Sequence, residues 1–396
     1  MGLFIIKFIL TNILFSLIIG CVLVKLNTRN RANIPDRQSK FNWFAGTGEK
    51  VPNLELMLCS LGLGPVFTVL ILYYLLLVFH GLPNYFYLAV VFLVYLALLV
   101  WSRKSVLLAV RHDGPPSPGD HENKPLGVPS CLGALVAIFK AGKGKRWKNL
   151  LYFSFLVVLV AVFLYIYLGS ILQVPIADHD ILVYGNIGKL YYMEKAVRYS
   201  ENIYNSFDGF FFIGSPKPSF SLLLTWEMMM NRGFAGTNDL TFDMYFRSIS
   251  AYYGLLIISV VFYWLYRKNR YLPLLGIVVL FSGFQFFQVF VTYHLDSYRL
   301  FFLILSWVFL AYSLRSKEPL AFFLLGVFSG FTAFTHLIGV LVALVNGLAF
   351  FLFQEACFKE RVLKTLALSL IILLFGGVHY VLEAMLGARF GFLTYF

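Results

Sequence analysis

Long uninterrupted apolar runs dominate this 396-residue chain and limit what it can fold into. Hydrophobic residues make up 60% of the sequence and charged residues only 13%. The hydrocarbon core of a bilayer is about 30 Å thick, and a helix of roughly 20 apolar residues crosses it. The runs are continuous rather than alternating, so they predict helices and not the strands of a barrel. The sequence therefore predicts an all-α polytopic membrane protein with about ten spans, at 3–24, 57–79, 86–101, 150–172, 248–266, 272–292, 300–314, 319–334, 337–353 and 365–385.

Lys and Arg are unevenly divided between alternate connections of these spans. Five connections hold 23 of the 32 Lys and Arg residues but only 9 of the 19 Asp and Glu residues. Because basic residues collect in cytoplasmic loops, these connections are predicted to be cytoplasmic and the amino terminus to lie outside. This topology explains the net charge of +13 without a nucleic acid partner. The five connections are 25–56, 102–149, 267–271, 315–318 and 355–364.

The same pattern suggests two regions. Residues 1–149 are predicted to form an amino-terminal region of three spans with basic cytoplasmic loops, and 150–396 a larger transmembrane core. The four cysteines have no spacing typical of a metal site or a disulfide framework. The first span lacks the charged start of a signal peptide, so we expect it to be retained as an anchor. A natural protein can end at Phe396, and its apolar, aromatic ending is also typical of a chain from which further spans or an outer domain are missing.

An acidic motif, Asp178-His179-Asp180, follows the span at 150–172 and opens a predicted outer loop at 173–247. Charge close to lipid is costly, so a pair of carboxylates at this place favours a functional role. Asp178 and Asp180 are candidates for a general base, or for ligands of a divalent metal ion such as Mg²⁺ or Mn²⁺. The alternative is that the pair only caps a helix that starts near Ile181.

Further candidates for substrate binding lie in the other predicted outer segments. Lys217, between two prolines, can meet a phosphate or be an ordinary solvated lysine. His294, Asp296 and Arg299 share one short turn, where Arg299 suits phosphate oxygens and an ion pair is the alternative. His336 lies on another short turn.

The remaining candidates lie on predicted helices. His379 and Glu383 are four residues apart near the end of the last span, so they share a helix face. They are interpreted either as residues that line a cavity or as a local pair. The stretch 181–199 has helical apolar spacing and predicts an amphipathic helix along the membrane surface. The run at 220–230 is too short to span, so it is expected to be interfacial or re-entrant, with Glu227 mostly solvated.

These features together resemble the type C glycosyltransferases, polytopic enzymes that take a sugar from a polyprenyl-phosphate carrier. The acidic motif with Asp178 and Asp180 matches their signature, Tyr184 falls where family members often carry a tyrosine, and 182–230 match their surface helices. The resemblance covers roughly 150–385. In many members the acidic loop follows the first span, whereas here it follows the fourth.

The resemblance implies transfer of a sugar to a hydroxyl of a glycan, lipid or protein acceptor. It places the active site on the periplasmic or outer face of the inner, cytoplasmic membrane. A lipid-linked polysaccharide ligase or polymerase is the nearest alternative, although such enzymes are expected to rely on Arg and His, and the loop holds only one histidine, His179. A flippase or transporter for lipids or glycans is a third possibility, and spans almost free of charge disfavour it.

Overall fold

The structure is a computed structural model. It describes residues 13–23, 25–26, 53–112, 154, 157, 161, 179–197, 217–235, 244–268, 272–282, 295–315 and 319–385. Every regular element within these ranges is helical, and none is a strand. The helices are α1 (Ile13–Leu23), α2 (Asn53–Val78), α3 (Asn84–His112), α4 (His179–Glu194), α5 (Pro218–Ala235), α6 (Met244–Lys268), α7 (Leu272–Ser282), α8 (Leu295–Arg315), α9 (Pro319–Thr335), α10 (Leu337–Phe353), α11 (Phe358–Ile372) and α12 (Val378–Met385), with a π-helical turn (Leu373–Gly377) between the last two.

Among the described residues, four helical segments are long and apolar enough to cross a membrane: Leu58–Val78, Asn84–Ser102, Leu295–Arg315 and Phe358–Met385. α9, α10 and parts of α1 and α6 are shorter apolar helices. The prediction of a helical membrane protein is therefore confirmed for the described residues. The number of ten spans stays a prediction, because the span at 150–172 lies almost wholly outside them.

Small residues allow α1 and α2 to approach closely. Ser16 and Gly20 are four apart on α1, and Ser60 and Gly64 are four apart on α2. A β-carbon on Gly20 would lie 3.2 Å from the Ser60 hydroxyl oxygen, and one on Gly64 only 2.9 Å from the backbone nitrogen of Ser16. Pairs of small residues at this spacing favour helix association in lipid, where apolar side chains gain little by leaving the hydrocarbon. The first helix is therefore packed against the core through its backbone.

α5 is enclosed by protein and lies against α2, α3, α4 and α9. All residues from 217 to 230 are buried. The solvated position expected for Glu227 is therefore wrong, because its exposed fraction is 3%. The interfacial or re-entrant position of 220–230 relative to a membrane stays a prediction. Pro218 begins the helix, a position where its missing N–H costs no hydrogen bond. Enclosure by other helices lets a segment too polar for lipid remain inside the assembly.

One buried amide connects three helices of the core. The Asn346 side chain on α10 donates hydrogen bonds to the hydroxyl of Ser306 on α8, at 3.1 Å, and to that of Ser329 on α9, at 2.9 Å. All three residues are fully buried. Side-chain hydrogen bonds of this kind stabilise helix contacts in membranes by about 0.6 kcal/mol on average.

The π-helical turn determines which residues of the last helix face the core. Gly376 in this turn packs against the backbone of Gly330 on α9, so closely that a β-carbon on Gly376 would overlap the Gly330 carbonyl oxygen. π-turns often lie beside functional sites. The helix that follows buries His379 and Glu383, whereas Val381 and Met385 remain exposed.

We expect Gly376→Ala to destabilise the protein by about 1–3 kcal/mol, because the new methyl group meets backbone atoms that cannot move aside as a flexible side chain can. The measurement is the midpoint of thermal unfolding in detergent, and the monitored signal is the fraction of protein that stays monodisperse. Gly347→Ala is the matched control, since a β-carbon there meets nothing within 4 Å. It should leave the midpoint unchanged or raise it, because alanine favours a helix over glycine. Equal destabilisation by the two substitutions would contradict the close contact.

Candidate functional site

A buried ion pair connects the start of α5 to the end of the last helix. The Nζ atom of Lys217 donates a hydrogen bond to Oε2 of Glu383 at 2.8 Å. The exposed side-chain fractions are 9% for Lys217 and 1% for Glu383. Lys217 is therefore not the solvated lysine considered from the sequence. The contact spans 166 positions of the chain.

The surroundings of Lys217 are aromatic on one side and acidic on the other. Its Nζ atom lies 4.4 Å from the ring centre of Tyr380, within the range of a cation–π interaction. The Tyr380 hydroxyl donates to the Ala333 carbonyl oxygen at 2.7 Å, which fixes the ring. Burial lowers the pKa of the Lys217 ammonium, and the charge and hydrogen bond of Glu383 oppose that change. Glu383 is thus the described group that favours the charged form of the buried lysine.

His379 completes the cluster from the same helix as Glu383. Its Nε2 atom is 3.4 Å from Oε1 of Glu383, so the two side chains form the local pair that their spacing allowed. The imidazole is 3% exposed and has the rings of Tyr73 and Phe334 at centroid distances of 6.4 and 5.9 Å. Aromatic rings from α2 and α9 thereby hold the imidazole in place. We refer to Lys217, His379, Tyr380 and Glu383 as the buried charged cluster.

Tyr184 lies beside this cluster on α4. Its ring contacts Phe220 on α5 edge to face, with centroids 5.9 Å apart, and its carbonyl accepts from the Ser221 hydroxyl at 3.0 Å. It is close enough to Tyr380 for the two phenols to interact electrostatically. The helix predicted at 181–199 is present as α4, although it begins at His179 and ends at Glu194. Its burial against α5 explains the apolar spacing seen in the sequence.

The acidic motif lies at the beginning of α4. Asp178 and the side chain of Asp180 are outside the described residues, whereas the backbone of Asp180 belongs to the first helical turn. A helix N-terminus favours negative charge, as the capping interpretation requires, and the catalytic role of Asp178 and Asp180 stays a prediction. Among the residues described, no group of three or more His, Cys, Asp or Glu side chains comes together to hold a metal. A divalent cation therefore remains a prediction that rests on Asp178 and Asp180.

Two other predicted turns contribute polar residues near the same helices. Arg299 forms an ion pair with Asp296 within the first turn of α8, and both side chains are partly exposed. This ion pair is the alternative to phosphate binding that was considered from the sequence. The neighbouring Tyr298 contacts Phe220 at a centroid distance of 5.4 Å. This turn therefore lies next to the start of α5 but outside the buried charged cluster. His294 falls outside the described residues.

His336 separates α9 from α10 and has a structural partner. Its Nδ1 atom accepts a hydrogen bond from the backbone nitrogen of Ile338 at 3.1 Å, which caps the start of α10. Phe334, two positions earlier, contacts His379. His336 is thus near the buried charged cluster along the chain, with its side chain used as a helix cap.

Sequence reasoning missed Tyr380 and the connection between Lys217 and Glu383. The only sequence signal for Tyr380 was its place beside His379, and no spacing rule relates positions 217 and 383. Together the cluster provides a cation, a carboxylate, an imidazole and a phenol within a mostly apolar environment. Such a set can bind one anionic group and can gain or lose one proton.

No protein-family model, curated protein or solved structure matches this chain. The resemblance to type C glycosyltransferases therefore depends on the sequence features alone.

We expect Lys217→Met to destabilise the protein by about 3–5 kcal/mol, because it leaves the Glu383 carboxylate buried without its cation. The double variant Lys217→Met/Glu383→Gln should recover most of this loss, since neither charge remains. The measurement is a double-mutant cycle on unfolding in detergent.

Lys364 and Glu360 are the matched control for this cycle. They form an ion pair of 2.6 Å, but their side chains are 41% and 51% exposed. Exposed pairs typically contribute about 0.2–1 kcal/mol, so Lys364→Met with Glu360→Gln should show little coupling. Equal coupling energies for the two pairs would contradict the buried character of the first.

Proposed function

We propose that the chain is a membrane glycosyltransferase that transfers a sugar from a polyprenyl-phosphate carrier to an acceptor hydroxyl. The observation that supports this proposal most directly is the contact between Lys217 and Glu383. It brings a cation from the predicted outer loop against the end of the last helix, beside the helix that starts in the acidic motif. Transfer from a lipid-linked sugar donor needs a cation that binds the carrier phosphate and a carboxylate nearby that takes the acceptor proton.

Several segments that are far apart in the sequence converge at this place, which supports one shared site. Tyr184 on α4 contacts Phe220 on α5, and Phe220 contacts Tyr298 on α8. The end of α9 contacts the cluster at two residues, because the Ala333 carbonyl accepts from the Tyr380 hydroxyl and the Phe334 ring contacts His379. All of these segments are near connections for which the charge pattern predicts the outer side of the membrane. The proposed site is accordingly at the outer, periplasmic face of the cytoplasmic membrane.

In this mechanism Lys217 offsets the negative charge of the carrier phosphate as the anomeric bond breaks. An ammonium acts as a point charge for phosphate, and a buried one acts strongly because little water screens it. Arg299 can add to this charge only by leaving Asp296. Tyr380, which contacts Lys217, and Tyr184, which contacts Phe220, are the proposed rings that border the first sugar.

Asp178 or Asp180 is the proposed general base. The acceptor hydroxyl loses its proton to the carboxylate while its oxygen attacks the anomeric carbon, and the carrier phosphate leaves. Direct attack of this kind inverts the anomeric configuration. A positioned carboxylate contributes about 10²–10⁴-fold to the rate of such a step.

We expect Asp178→Asn or Asp180→Asn to reduce transfer by about 10²–10⁴-fold, because an amide cannot accept the acceptor proton. The assay measures radiolabelled sugar transferred from a panel of polyprenyl-phosphate donors in membranes that contain the protein. Protein levels are matched between variants by immunoblotting.

Glu360→Gln is the control, since Glu360 lies on α11 in an exposed pair with Lys364. Its transfer should equal that of the unaltered protein. Full transfer by both aspartate variants would rule out the proposed base. Absence of transfer from every donor would instead favour a ligase or a transporter, the alternatives that the sequence left open.

A further inference from the structure

Among the described side chains, one cation and one anion face each other in the buried charged cluster. The Lys217 ammonium and the Glu383 carboxylate cancel each other at 2.8 Å, and both are almost fully buried. A carrier phosphate that bears a sugar is a phosphodiester with one negative charge. Binding it at Lys217 would leave the site with one uncompensated negative charge, which is costly where water is scarce. Uptake of a proton by the described groups would remove this charge.

We propose that binding of a phosphodiester at Lys217 is coupled to the uptake of one proton by the Glu383–His379 pair. This inference rests on the proposed function, since it takes Lys217 as the phosphate site. The proton comes from solvent and binds a carboxylate oxygen or the imidazole, and no other bond changes. The site then holds one ammonium, one phosphodiester and a carboxylate–imidazole pair without net charge. Release of the phosphodiester returns the proton to solvent.

The neighbouring groups limit where the proton can go. The titratable side chains that contact the pair within the described part of the chain are Lys217, Tyr380 on the same helix and Tyr73 on α2. Tyrosines are already protonated near neutral pH, and Lys217 is the cation of the proposed phosphate site. Of these groups, only Glu383 and His379 can accept a proton. The closest nitrogen and oxygen atoms of these two side chains are 3.4 Å apart, so a proton on either one changes the charge of the same pair.

Isothermal titration calorimetry tests this coupling directly. The probe is farnesyl methyl phosphate, a phosphodiester that does not itself titrate near neutral pH, and the protein is held in nanodiscs of uncharged lipid. The titration is repeated in two buffers that differ in ionisation enthalpy. We expect uptake of about one proton at pH 7, and an affinity that rises by about tenfold for each unit decrease in pH.

Glu383→Gln gives the decisive comparison, because its amide leaves the site with one positive charge before the probe binds. This variant should bind without proton uptake, and its affinity should not change with pH. Elution profile and unfolding midpoint establish that it is folded. If it is not, the affinity of the unaltered protein between about pH 6 and pH 8 decides the question, since a pH-independent affinity would overturn the coupling.

Failure of the coupling differs from failure of the proposed function. Tight binding with no buffer dependence in the unaltered protein would overturn the coupling and leave Lys217 as the phosphate site. Binding by Lys217→Met/Glu383→Gln as tight as that of the unaltered protein would overturn the phosphate site itself, and the coupling with it.

Discussion

The salt bridge between Lys217 and Glu383 imposes a condition on the surrounding helices. Two ions removed from water lose several kcal/mol of hydration free energy each, and only a close, hydrogen-bonded geometry restores it. Their separation of 2.8 Å requires the start of α5 and the end of α12 to be fixed relative to each other. The enclosure of α5, the ring of Tyr380 and the contact of His379 with Glu383 all serve that geometry.

Other contacts hold the helices that surround this site. Small residues bring α1 and α2 together through their backbones, and Asn346 connects α8, α9 and α10 through hydrogen bonds. In lipid these contacts act where burial of apolar surface gives little driving force between helices. The site is therefore built on a framework of packed backbones and buried polar groups, and this framework can keep an ammonium and a carboxylate in register.

Patterns over a few neighbouring residues predicted the features that depend on residues close together in the sequence. The apolar runs indicated the helices, including the break at His336, and the four-residue spacing of His379 and Glu383 predicted their contact. The enclosure of α5 does not follow from the sequence, because the length of the run at 220–230 shows only that it is too short to span a membrane. Its burial depends on contacts with neighbouring helices. The pairing of Lys217 with Glu383 depends on tertiary structure across 166 positions, which no spacing pattern encodes. The chemistry assigned to Asp178 and Asp180 stays a prediction.

The π-helical turn has a consequence for how this helix can vary among related chains. Such a turn accommodates one residue more than an α-helix would, and each residue of an α-helix rotates the chain by about 100°. Loss of a single residue within Leu373–Gly377 would convert the turn to regular helix and rotate Glu383 by about 100°, away from Lys217. A related chain with one residue fewer in this turn would therefore present the side chain equivalent to Glu383 on the exposed side of the helix. The number of residues in the turn thus decides whether that carboxylate can reach Lys217.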